Sequence, residues 1–161
     1  MSKKILNPFA MLCFGLIIGI IARLLDIYTT NMGEIFSQMA IWILMGTLIS
    51  IYSKTAKKAI LNVLPFCLGM LLTYYVVAAL SHGVYSKDFI IGWTVFALCS
   101  PVMAYFAWLK KENGIFPKIV SVGIIAVSVL SSVILFDKLR IYDFIIDGAL
   151  IYFLFFKKIA R

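Results

Sequence analysis

The sequence has few of the residues on which enzymes and soluble domains depend. Only 14% of its 161 residues are charged, and it contains one histidine, three cysteines and four prolines. The sequence motifs of zinc peptidases, serine hydrolases, phosphate-binding loops and dinucleotide-binding turns do not occur in it. Cys13, Cys67 and Cys99 lie within apolar runs without CxxC spacing, which indicates neither a disulfide framework nor a metal site. We therefore predict a protein that is not an enzyme and that has no cofactor and no metal.

Apolar residues are abundant instead. They make up 63% of the chain, whereas soluble domains are about half apolar and about 25% charged. A soluble core of this size is too small to bury so much apolar surface, so the expected solvent is a lipid bilayer. The net charge of +8 lies mainly in short loops between the apolar runs. This distribution predicts contacts with lipid headgroups and a fixed topology, and it argues against a nucleic-acid partner.

Six apolar stretches have the length expected of transmembrane helices. Short polar breaks such as "SKTAKK" and "KKENG" separate them, and these predict antiparallel neighbouring helices. The expected fold class is all-α: a polytopic membrane helix bundle with six transmembrane helices, forming a single integral-membrane domain over residues 1–161. The expected spans cover residues 8–28, 35–53, 57–80, 88–110, 115–136 and 139–157.

Lysine and arginine are distributed unevenly between the two sides of the expected bundle. Eleven lie on the side of the two termini and three on the other, while Arg23 lies within the first span. Because basic loops stay in the cytoplasm, we predict cytoplasmic termini and a multi-pass protein of the cytoplasmic membrane. The eleven are Lys3, Lys4, Lys54, Lys57, Lys58, Lys110, Lys111, Lys118, Lys157, Lys158 and Arg161, and the three are Lys87, Lys138 and Arg140.

Helix one carries small residues along one face. Gly15 and Gly19 are four residues apart, and Ala22 follows on the same side. Such a face lets another helix approach closely, so we predict a helix-packing role for these three residues. The neighbouring helix is expected either in this chain or in a partner protein.

Charged residues lie inside two of the expected spans. Arg23 and Asp26 are one turn apart near the end of helix one. Asp143 and Asp147 share a face of helix six with Arg140. At 1.5 Å rise per residue, Arg23 and Asp147 reach similar levels in the outer half of the bilayer. Because charges within hydrocarbon normally pair, we expect helices one and six to be neighbours, with Arg23 pairing Asp147 and Arg140 close to Asp143.

Three interpretations of this charged group remain open. It is a set of structural ion pairs, a site for a small solute, or a proton-coupled carboxylate, the last requiring that Asp147 lacks its arginine. Polar and aromatic residues, among them Gln38, Ser128 and Ser132, share the outer half of the expected bundle. Together they would suit an outward-facing pocket. The predicted ligand-binding residues are Arg23, Asp26, Trp42, Tyr74, Tyr75, Trp93, Asp143 and Asp147.

In its size, its six expected helices, its cytoplasmic termini and the small residues Gly15, Gly19 and Ala22, the chain resembles the substrate-binding S components of energy-coupling-factor transporters. In that family helix one offers a small-residue face, usually Ala-x-x-x-Ala, to a membrane coupling subunit. The alanine pattern is absent from this sequence. The resemblance implies a solute site near the outer surface and uptake driven by ATPase subunits.

Two functions from different classes follow as hypotheses. The first is a small-solute binding or transport subunit, energised if at all by other membrane or ATPase subunits. The second is a non-catalytic accessory, scaffold or immunity subunit of a membrane complex, in which Arg23 and Asp147 form a structural ion pair. The first predicts an outward cavity, and the second predicts a filled bundle.

Overall fold

Six α-helices form the protein in the computed structural model, which describes residues 6–29, 33, 35–36, 38–81, 87–136, 139–157 and 159. The described part of the chain contains no strand, so the predicted all-α fold class is confirmed. A 3-10 turn at Leu109–Lys111 follows the fourth helix, and a π turn at Tyr152–Phe156 follows the sixth. The helices are α1 (Pro8–Tyr28), α2 (Met39–Tyr52), α3 (Ala56–Leu80), α4 (Lys87–Trp108), α5 (Ile115–Phe136) and α6 (Ile141–Ile151).

Three of the helices begin where a side chain accepts a hydrogen bond from a backbone N–H group at the helix start. The Asn7 side chain accepts a hydrogen bond from the N–H of Ala10 at 2.8 Å before α1, and Thr55 accepts one from Lys58 at 3.2 Å before α3. At α6 the Asp143 carboxylate accepts the backbone N–H of Arg140 at 2.7 Å, as a capping-box acid does. Local sequence therefore sets these boundaries.

Four segments are long and apolar enough to cross a membrane: Pro8–Tyr28, Ala56–Leu80, Ile90–Lys111 and Ile115–Ile134. The other two expected spans are shorter as helices. With 14 residues α2 is about 21 Å long, against a hydrocarbon core of about 30 Å. It begins only at Met39, because the backbone of Gln38 is extended. Eleven residues form α6, and the π turn extends it.

Many apolar side chains face outward, and several polar side chains are buried together with the apolar core. On α1 the buried face carries Gly15, Gly19 and Ala22, whereas Phe14 and Ile17 are exposed. On α4 and α5, too, many apolar side chains are exposed. Several serines, Asn62 and both aspartates of α6 are buried. These faces are consistent with contact with a lipid bilayer.

Contacts along the helices define their directions. Gly15 lies against Phe66 and Gly19 against Met70, so α1 and α3 run parallel. The ring centres of Tyr52 and Phe153 lie 6.5 Å apart, so the ends of α2 and α6 lie close together. The end at which α2, α4 and α6 finish carries most of the described lysines, and we call it the basic end. The end at which α1 and α3 finish and α2 begins is called the far end.

Candidate functional site

The small-residue face of α1 packs directly on α3. A Cβ atom on Gly15 would lie 2.2 Å from the carbonyl oxygen of Phe66, and one on Gly19 would lie 2.2 Å from that of Met70. Thr73 donates its hydroxyl to the carbonyl of Leu16 at 2.8 Å across the same contact. The neighbour of this face is therefore a helix of the same chain. Ala22, fully buried, lies further along α1.

Arg23, Asp26 and Tyr74 form one polar group at the far end, which we call the arginine cluster. The Arg23 guanidinium donates to the Asp26 carboxylate, and it lies 3.4 Å from the Tyr74 hydroxyl oxygen. That hydroxyl donates to Asp26 at 3.0 Å, and the guanidinium carbon lies 5.4 Å from the Tyr74 ring centre. The rings of Tyr74 and Tyr75 pack nearly perpendicular to each other, with their centres 5.5 Å apart. The cluster balances a nearly buried cation within two neighbouring helices.

The expected ion pair between Arg23 and Asp147 is wrong. Arg23 pairs with Asp26, one turn further along its own helix. Asp147 instead accepts a hydrogen bond from Ser128 at 2.6 Å. The reason is the lateral order of the helices: α1 packs chiefly on α3, whereas α6 packs on α2 and α5.

The two aspartates of α6 form a second polar group with α5. Asp143 lies 3.4 Å from the Ser132 hydroxyl and accepts the Arg140 backbone N–H, while the Arg140 guanidinium donates to Tyr142 at 2.5 Å. Ser128 pairs with Asp147 and Ser132 with Asp143, so α5 and α6 run antiparallel. The two carboxylates are bonded to hydroxyls and a backbone N–H in the contacts seen here. They therefore form a group of their own on α5 and α6, whereas the arginine cluster lies on α1 and α3.

Trp42 and Trp93 belong to the apolar core. The Trp42 indole N–H donates to the carbonyl of Phe36 at 2.9 Å, and its ring centre lies 6.5 Å from that of Phe66. The rings of Trp93 and Phe96 pack nearly perpendicular to each other, with their centres 5.7 Å apart. The structure thus distributes the eight predicted ligand residues over the arginine cluster with Tyr75, the α5–α6 pair, and the core.

A small cavity lies in the core between α2, α3, α4 and α5. Its volume is about 30 Å³, which accommodates about two water molecules. Its wall is mainly apolar, with Thr47, Cys67 and Ser100 as polar exceptions. This cavity is too small for an organic solute. In the ranges that the structure describes, no group of three or more His, Cys, Asp or Glu side chains is placed to hold a metal ion.

Gln38, at the start of α2, is a feature that the choice of ligand residues left out. Its side chain is fully buried, and neither amide atom has a hydrogen-bond partner in the described part of the chain. Arg23 Nε is likewise buried and without a partner there. The segment before α2 reaches the arginine cluster, since a Cβ on Gly33 would lie 2.6 Å from the Cα atom of Asp26. In the sequence, the only signal was a polar residue at the start of an apolar run.

Four long apolar helices and an outward-facing apolar surface indicate a multi-pass membrane protein. Residues 2–140 match a family described as a family of unknown function, DUF6518, so the chain belongs to that family. No match was found among curated proteins or among solved structures. The matched residues include Arg23, Gln38 and Tyr74 and end before α6. The likeness to S components has no match of its own and stays a prediction.

Proposed function

We propose that the protein is a small-solute binding or transport subunit of the cytoplasmic membrane, with its solute held at the far end. The observation that carries the proposal is the buried amide of Gln38, which has no hydrogen-bond partner among the described residues. An amide has two donor hydrogens and an acceptor oxygen. Leaving such a group unsatisfied in a protein interior costs about 1–3 kcal/mol, and the hydrocarbon region offers no water to offset it. A bound solute would supply the missing partners.

The chemistry of Gln38 indicates the class of solute. A primary amide pairs best with a group that places a donor beside an acceptor, such as a carboxamide, a lactam or a urea. The arginine cluster balances its own charge, so the proposed solute is uncharged. The aromatic residues at this end, including Tyr74 and Trp42, would supply apolar walls to such a molecule.

The proposed orientation follows from the lysines. Lys54, Lys57 and Lys58 lie beside Ser53 at the basic end, and Lys110 and Lys111 join them there. By the positive-inside rule this end is cytoplasmic, with both termini, and the far end faces outward. No catalytic activity is proposed, and energy for uptake would come from partner subunits.

Replacement of Gln38 tests the solute site. Gln38→Leu removes the unmet amide, so the free protein should gain about 1 kcal/mol of stability. Thermal unfolding with uracil, nicotinamide and 2-pyrrolidone as probes should show an upward shift for the wild type and none for the variant. Asn62→Leu is the matched control, because the Asn62 amide nitrogen donates to the Ser53 hydroxyl at 3.0 Å and only its oxygen lacks a partner among the described residues. It should lose stability and keep the shift. A Gln38→Leu variant that is destabilised, or that retains the shift, would contradict the proposal.

A non-catalytic accessory or scaffold role is the second candidate. It is favoured by a core cavity of about 30 Å³ and by an arginine cluster in which Asp26 balances the charge of Arg23. The small-residue face of α1 already packs on α3, so a partner would have to dock on another surface of the bundle. Purification from the native membrane with mass spectrometry separates the candidates. ATPase and coupling subunits support transport, and a different stable assembly supports the scaffold role.

A further inference from the structure

Lysines at the basic end bind the helix termini together. Lys111 Nζ donates to the carbonyl oxygen of Ser53, just after α2, at 2.5 Å. Lys110 Nζ donates to that of Lys157, just after the π turn, at 2.6 Å. The ends of α2, α4 and α6 are thereby linked through two ammonium groups. Lys54 follows Ser53 directly in the chain, and the Lys157 backbone accepts from Lys110, so these residues lie at the same junction. We call Lys54, Lys110, Lys111 and Lys157 the lysine cluster.

The ammonium groups of the lysine cluster have N–H donors that the carbonyl bonds do not use. Each ammonium has three N–H donors, and a single carbonyl bond uses one of them. Lys54 and Lys157 are exposed, and Lys110 and Lys111 are half-buried. Four lysines therefore lie at one end of the bundle, and Glu112 follows Lys111 in the chain. Mutual repulsion in such a group favours a bound anion.

An apolar surface continues from the lysine cluster. Phe155 and Phe156 directly precede Lys157, and both are exposed. Trp108 lies beside the cluster, with its indole N–H on the Ser53 carbonyl at 3.2 Å and Lys111 Nζ 5.6 Å from its ring centre. Charge next to exposed aromatic surface matches an amphiphile with an anionic head. It fits a free phosphate less well, since a free phosphate would leave the aromatic surface unused.

We propose that the lysine cluster binds the phosphate headgroup of an anionic phospholipid, with the acyl chains along Phe155 and Phe156. The headgroup accepts from the ammonium donors that the carbonyl bonds leave over. The lipid thereby reinforces the junction of α2, α4 and α6. This site lies at the opposite end from the proposed solute site and does not depend on it.

Two triple variants of equal charge test the site. One is Lys54→Gln/Lys110→Gln/Lys111→Gln within the cluster, and the other is Lys57→Gln/Lys58→Gln/Lys118→Gln at the same end outside it. Native mass spectrometry of the protein released from vesicles of phosphatidylglycerol and phosphatidylcholine measures the preference for the anionic lipid. A hydrogen bond from an ammonium to a charged acceptor contributes roughly tenfold in affinity, so the cluster variant should lose tenfold or more. The other triple should lose much less. Equal losses would indicate uniform surface charge and overturn the proposal.

A double variant and a soluble competitor serve as further controls in this experiment. Lys54→Gln/Lys157→Gln leaves both carbonyl bonds in place, so it should reduce lipid preference without altering the fold in circular dichroism. Unchanged preference in this double variant would count against the site. Glycerol 3-phosphate is added as a soluble competitor that lacks acyl chains. If it displaces phosphatidylglycerol at an equal concentration, the cluster is a phosphate site and not a lipid site.

Discussion

The α1–α3 pair and the α5–α6 pair are held together by different means. In the first, glycines bring two parallel backbones into contact, and a hydroxyl bonds a carbonyl across the gap. In the second, serines and aspartates bond side chain to side chain between antiparallel helices. The first pair contains an ion pair, whereas the second contains two carboxylates bonded to hydroxyls.

The difference reflects what lipid does to helix association. Apolar side chains gain little by leaving a solvent that is itself apolar, so close packing and hydrogen bonds must supply the stability. Glycine supplies the first, because a missing side chain lets backbone atoms make van der Waals contact. Serine and aspartate supply the second with longer and more adjustable contacts. We therefore expect the glycine contact to be intolerant of substitution and the serine contact to be tolerant.

Enlarging Gly19 should have the largest effect. In Gly19→Leu even the first side-chain atom would overlap the Met70 carbonyl and the Thr73 hydroxyl, both 2.2 Å away. The two helices must separate, at a cost of about 3 kcal/mol. The free energy of unfolding is measured in mixed micelles titrated with a denaturing detergent.

Gly123→Leu on α5 is the matched control, because a Cβ at that position has no atom within 4 Å. It should leave stability almost unchanged. Equal losses in the two variants would mean that leucine disturbs any glycine site in this bundle. The close contact of α1 with α3 would then lose its special status.

Breaking the ion pair should cost less. Asp26→Ala leaves the nearly buried guanidinium of Arg23 with the Tyr74 hydroxyl and ring, so we expect a loss of about 2 kcal/mol. The double variant Arg23→Met/Asp26→Ala removes the unpaired charge and should regain most of that loss. The same unfolding measurement reports both.

The alternative pairing makes the opposite forecast. If Asp147 were the real partner of Arg23, Asp147→Ala would be rescued by Arg23→Met, and Asp26→Ala would have little effect. The two double variants therefore decide which carboxylate balances Arg23.

The sequence predicted the helices better than it predicted which helices pack against each other. Apolar runs and polar breaks place α1, α3, α4 and α5 within a few residues of their observed bounds, because lipid requires long uninterrupted helices. The expected second span begins at residue 35, and its residues did not indicate that the backbone at Gln38 is extended.

The polar residues show the same limit. Helical spacing identified the glycine face and gave Arg23 and Asp147 similar depths, but depth along the membrane normal does not fix lateral order. Which helices adjoin depends on packing between distant parts of the chain, such as Gly19 against Met70. Spacing within one helix contains no such information. The partner of Arg23 is Asp26, the carboxylate nearest to it in the sequence.

Removing one hydrogen bond between α5 and α6 should have the smallest effect on stability. Ser128→Ala removes the hydroxyl that donates to Asp147 at 2.6 Å. Hydrogen bonds between membrane helices are worth about 0.6 kcal/mol on average, so we expect a loss of that order. Ser131→Ala is the matched control, since its hydroxyl donates to the Ser128 carbonyl of its own helix at 2.7 Å. That control should change stability by less, because the helix already satisfies its backbone carbonyls. If Ser128→Ala costs as much as Gly19→Leu, the side-chain contact is as rigid as the glycine contact, and the contrast between the two helix pairs fails.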